Sequence, residues 1–102
     1  MNIKEFWKDV LEQNKEKLQG YFYDDAVIRW HCSNELFTLL EYIRANCEYP
    51  GEWDGEVERI EGAADTIITA VKVYPRDKSR SFHVVSFLKM ENGLIYEMDE
   101  YW

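Results

Sequence analysis

The sequence predicts an α+β domain in which N-terminal helices cover one face of a curved, mainly antiparallel sheet. Three observations predict it. Apolar residues near the N-terminus repeat at helical spacing. From Trp53 onward the pattern changes to a period of two. The links between the late apolar runs are short and carry turn chemistry, so consecutive strands pair as a meander. The 102 residues, 46% hydrophobic and 31% charged, suit a single domain, 1–102. Aromatic residues make up 16%, so large rings must carry much of a small core.

Ile3, Phe6, Trp7, Val10, Leu11, Asn14 and Leu18 lie on one stripe of a 3.6-residue period. They predict a first helix over 3–18, with Asn2 and Glu5 as a capping pair and Gly20 as its stop. Lys8, Asp9, Glu12, Lys15 and Glu16 form its solvated face. After the polar break Asp24-Asp25, residues Ala26 to His31 alternate as a short strand: Val27, Arg29 and His31 on one face, Ala26, Ile28 and Trp30 on the other. Ser33 or Asn34 caps a second helix, with Leu36, Phe37, Leu39, Leu40, Ile43 and Cys47 as its apolar positions and Tyr49-Pro50-Gly51 as its end. Four strands follow at about 54–62, 66–74, 81–90 and 94–102. Asn92-Gly93 between the last two is the strongest hairpin signal in the chain. Both of these strands are apolar on both faces: Val84 and Leu88 oppose Val85 and Phe87, and Leu94, Tyr96, Met98 and Trp102 oppose Ile95, Glu97, Asp99 and Tyr101. One face packs on the helices; the outer one is expected to form a homodimer interface.

Twenty acidic residues against twelve basic ones give a net charge of −8, which argues against nucleic acid or an anionic membrane as partner. No apolar run approaches the roughly 18–20 residues of a membrane span, and the N-terminus lacks a signal peptide's apolar stretch. Cys32 and Cys47 show no CxxC spacing and read as reduced thiols of a cytoplasmic protein. The two histidines stand at unrelated positions, so no metal site is expected, nor any cofactor. Arg76, Lys78 and Arg80 in the turn from 74 to 80 read as a solvated edge.

Three stretches resemble the nuclear transport factor 2-like superfamily and, within it, the small SnoaL-like proteins. They are residues 21–31 (Tyr21-Phe22-Tyr23 through Trp30-His31), residues 46–53 (Asn46 to Trp53), and Ser81 to Phe87 running on through Asn92-Gly93 to Asp99-Glu100-Tyr101-Trp102. The resemblance implies a cone-shaped α+β barrel with a strongly bent sheet, an apolar pocket at its wide end and dimerisation through the outer sheet face. The superfamily spans isomerases, dehydratases, epoxide hydrolases, polyketide cyclases and pure binding modules, so the fold leaves the activity open. It implies a pocket for a small, mostly apolar organic molecule. There the chain performs cofactor-independent proton transfer of isomerase, dehydratase or cyclase type, or acts as a non-catalytic ligand-binding or protein-interaction module.

Asp99 is the nearest match to the pocket carboxylate of SnoaL-like cyclases. In an apolar cavity such a group has a raised pKa and shuttles a proton. That requires its strand face to line the cone; a one-residue bulge would turn Asp99 outward and Met98 inward. His31 would orient or donate. His31 and His83, with Asp99, Glu61 or Glu35 as carboxylate partners, read either as acid–base groups or as hydrogen-bonded histidines at the rim. Trp30, Tyr101, Trp53 and Tyr23 are candidate ligand-binding walls, with His83 and Glu61 beside them. The first helix contains no Tyr, so it lacks the residue on which the ketosteroid isomerase reaction depends.

Overall fold

The computed structural model describes all 102 residues. Three helices, α1 (Ile3–Leu11), α2 (Lys15–Gln19) and α3 (Leu39–Cys47), accompany six strands. The strands are β1 (Phe22–Trp30), β2 (Glu35–Thr38), β3 (Trp53–Ala63), β4 (Thr66–Pro75), β5 (Phe82–Glu91) and β6 (Leu94–Tyr101). They form one sheet in the order β2-β1-β6-β5-β4-β3. Every neighbouring pair is antiparallel except β1 and β6, which run parallel. The parallel pairing sets the β1–β2 hairpin beside the C-terminal strand. The inner face buries Ile28, Val71, Leu88, Ile95 and Met98 against Phe6, Leu18 and Tyr42 from the helices. No helix is long and apolar enough to cross a membrane.

The late strands follow the expected pattern closely; the N-terminal half needs two corrections. The first helix is not continuous over 3–18. It breaks at Gln13, whose φ is 57°, and Asn14 starts α2 by accepting a hydrogen bond from the Lys17 amide at 3.2 Å. The break lets Gln13 Nε2 donate to the Asn46 and Tyr49 carbonyls, each at 2.8 Å. Asp9, expected in solvent, is buried and accepts from the Tyr21 hydroxyl at 2.7 Å.

The second correction concerns residues 33–38. Ser33 and Asn34 do not cap a helix; they lie in the turn between β1 and β2, where Asn34 takes a φ of 57°. Strand β2 pairs with β1 from Trp30–Glu35 to Val27–Thr38. The helix starts only at Leu39, behind a reciprocal capping box. Thr38 Oγ1 accepts from the Glu41 amide at 3.3 Å, and Glu41 Oε1 accepts from the Thr38 amide at 2.9 Å.

One irregularity decides the chemistry. In the β5–β6 ladder Lys89 pairs with Glu97 but Met90 pairs with Ile95, so Tyr96 is an extra residue, a β-bulge. The bulge resets the alternation of β6. Ile95, Met98 and Glu100 face inward and are buried, while Glu97, Asp99 and Tyr101 face outward.

Candidate functional site

A cavity of about 450 Å³ opens between α1, the end of α3 and the strand ends that face them. Trp7, Trp30, Trp53, Val73, Phe82 and Trp102 form most of its apolar wall. Trp30 is locked edge-on by Phe37, Tyr42 and Trp102, with ring centroids 4.7, 6.2 and 5.3 Å away.

Glu100 is the carboxyl in this wall. It is 6% exposed. The register explains its partners: it stands opposite Trp30 on β1 and opposite Ser86 on β5. Trp30 Nε1 donates to Glu100 Oε1 at 3.1 Å, and Ser86 Oγ donates to Oε2 at 2.5 Å. No cation pairs with it. Burial pushes the Glu100 carboxyl above the ordinary range, and the two donors only partly oppose that. The arrangement sets a carboxyl of raised proton affinity beside an apolar space.

Asp99 and His31 do come together, with His31 Nε2 2.7 Å from Asp99 Oδ1. The bulge places the pair on the outer sheet face, so Asp99 is not the cavity carboxyl. There Arg29 bonds Glu97 and lies 3.4 Å from Asp99, and Lys89 Nζ lies 3.4 Å from Glu97. Tyr101 stacks on the His31 ring, centroids 4.4 Å apart, and so leaves the cavity too. His83 pairs with Glu58 at 3.0 Å and Glu61 with Arg59 at 3.3 Å, both away from the cavity. Tyr23 OH accepts from Asn92 Nδ2 at 3.3 Å and does not line it either. Among the expected ligand contacts, Trp30 and Trp53 reach the cavity. Glu100, Ser86 and Arg80 belong to the site and were not expected there. No three His, Cys, Asp or Glu side chains converge to hold a metal ion.

This architecture recurs in known structures. An NTF-2-like protein of unknown function from Burkholderia xenovorans LB400 matches with a TM-score of 0.84 and 21% identity, over 97% of this chain and 77% of that one. An LEH-like epoxide hydrolase of M. tuberculosis matches with a TM-score of 0.77 and 12% identity, over 97% of this chain and 77% of that one. SalBIII, an epoxide hydrolase/cyclase-like enzyme in pyran ring formation of the polyether salinomycin, matches with a TM-score of 0.78 and 17% identity, over 98% of this chain and 86% of that one. No family model and no curated protein matches the sequence. The chain has the nuclear transport factor 2-like fold.

Proposed function

We propose that the chain binds a small, mostly apolar organic molecule in its cavity and moves a proton on it through Glu100, without a cofactor. The observation that carries this reading is one buried, cation-free carboxyl set in the wall of an apolar cavity of about 450 Å³. A carboxyl whose proton affinity is raised by burial protonates a substrate oxygen, and its conjugate base removes a proton from carbon. Isomerisation, dehydration and cyclisation all contain that step. Glu100 takes the role expected of Asp99 and His31. Trp30 and Ser86 position it. The fold neighbours include an epoxide hydrolase and an enzyme of pyran ring formation in a polyether, which supports enzymatic use of such a cavity. In the competing reading the cavity binds without reaction, and Glu100, Ser86 and Trp30 only satisfy one another.

Carbon-13 NMR of the glutamate carboxyls, with Glu100→Gln to assign the signal, separates the two. Glu100 is expected to titrate clearly above the ordinary value of about 4.3. Titration together with the surface glutamates would remove the proton-transfer role and leave the binding module.

The reading extends to a homodimer built through the outer sheet face. Ile68, Ala70, Val85 and Phe87 form a half-buried apolar strip there, and Tyr101 beside it is 42% exposed. Sedimentation at micromolar concentration is expected to give a dimer and Phe87→Asp a monomer; a monomeric wild-type protein refutes the dimer. Free Cys32 and Cys47 suit the reducing cytoplasm.

A further inference from the structure

We infer that the molecule taken by this cavity is an anion: an apolar body with one carboxylate, or an equally compact acidic oxygen group, docked on Arg80 at the rim. The inference rests on the cavity reading above and names its substrate class. Five arginines occur in the sequence. Four are ion-paired: Arg29 with Glu97, Arg44 with Glu48, Arg59 with Glu61 and Arg76 with Glu52. Arg80 has no carboxylate at ion-pair distance, in a chain whose net charge is −8. It is also the one basic side chain that lines the cavity.

The carboxylate nearest to it in sequence, Asp77, accepts from the Ser79 amide at 2.9 Å and feels the Arg80 charge from beyond ion-pair distance. The loop is tethered at its other end, where the Arg76 amide donates to the Glu52 carbonyl at 3.0 Å.

Arg80 is also held in place. Its guanidinium lies 5.5 Å from the centroid of the Trp53 ring. Trp53 is fixed in turn: its Nε1 donates to the Pro50 carbonyl at 3.2 Å, and its rings pack on Tyr49 and Phe82. Gly51 allows this closeness. Its φ is +104°, and a Cβ there would stand 3.3 Å from Trp53 Nε1. A guanidinium resting on an aromatic face keeps its N–H edge free for the two parallel bonds that a planar carboxylate accepts. The other ionisable group of the wall, Glu100, does not repel such a ligand while it carries its proton.

The test compares 2-naphthoate with 2-naphthamide, which share rings and size and differ in charge, by calorimetric titration. Wild-type protein is expected to bind the naphthoate at least tenfold more tightly. Arg80→Gln, a change at an exposed side chain, is expected to erase that preference, so that the two compounds bind the variant alike. Arg80→Lys, which keeps the charge without the fork, is expected to fall between. Equal binding of the two compounds to wild-type protein, or a preference that survives in Arg80→Gln, overturns the anionic ligand and leaves the cavity reading intact. If neither compound binds, the cavity reading fails and this inference falls with it.

Discussion

Insertion of one alanine between Glu97 and Met98 is expected to abolish the cooperative fold. Tyr96 is the residue by which β6 exceeds its partner between the Lys89–Glu97 and Met90–Ile95 pairs. Because side chains alternate strictly along the regular part of the strand, one residue added beyond the bulge rotates everything after it to the opposite face. Met98, fully buried, would turn to solvent, and Asp99 would turn inward, away from Arg29 and His31. Losing a buried methionine costs about 2–5 kcal/mol, and an unpaired carboxylate in the core costs more. A domain holds only about 5–15 kcal/mol in total. Tyr96→Ala is the control: it keeps the residue count and the bulge, and loses the hydrogen bond from Tyr96 OH to Asp65 Oδ2 at 2.8 Å. It should melt cooperatively, about 1 kcal/mol below wild type. A cooperative melt of the insertion variant near the wild-type temperature would show that the register of β6 beyond the bulge is not fixed.

The same bulge explains why the fold was legible in the sequence and the site only half so. The stripe from Ile3 to Leu11, the period-two runs after Trp53 and the Asn92-Gly93 turn each have a local physical cause, and each is found as expected. The face of β6 has none. Its two phases, Ile95 with Tyr101 and Tyr96 with Met98, are equally apolar, and the bulge contains neither glycine nor proline to announce it. The partnership of His31 with Asp99 was therefore readable while its side of the sheet was not, and Glu100, the next residue, holds the cavity position. The start of α3 was different. Ser33-Asn34 serve equally as cap or turn, whereas Thr38 followed by Glu41 is a capping box visible in the sequence. Arg80 sits in a short basic turn that reads as solubilising charge. Only its lack of a partner, beside four arginines that have one, sets it apart.

Glu100→Gln is expected to reverse the effect of alkaline pH on stability. Burial raises the carboxyl's pKa in the folded protein above its unfolded value of about 4.3. The folded state therefore binds this proton more tightly than the unfolded chain. The associated stability is fully present below about pH 4.3 and is lost as pH rises through the folded value. Each tenfold difference in proton affinity is worth about 1.4 kcal/mol. Glutamine is neutral at every pH; its oxygen accepts from Trp30 Nε1 and its amide donates to Ser86 Oγ. The variant should match wild type within about 1 kcal/mol at pH 4 and exceed it at pH 8, as read by urea unfolding across that range. Other carboxyls act in the opposite sense: Arg29 holds Glu97 low, and hydrogen bonds hold Asp65 and Asp77 low, so their contributions fade as acid protonates them. They are common to both proteins, and the difference between the two curves isolates Glu100. Parallel curves would mean that folding leaves the proton affinity of Glu100 unchanged. It would then be a fixed anion at neutral pH, unable to serve as the acid, and its charge would stand against the carboxylate that Arg80 is placed to receive.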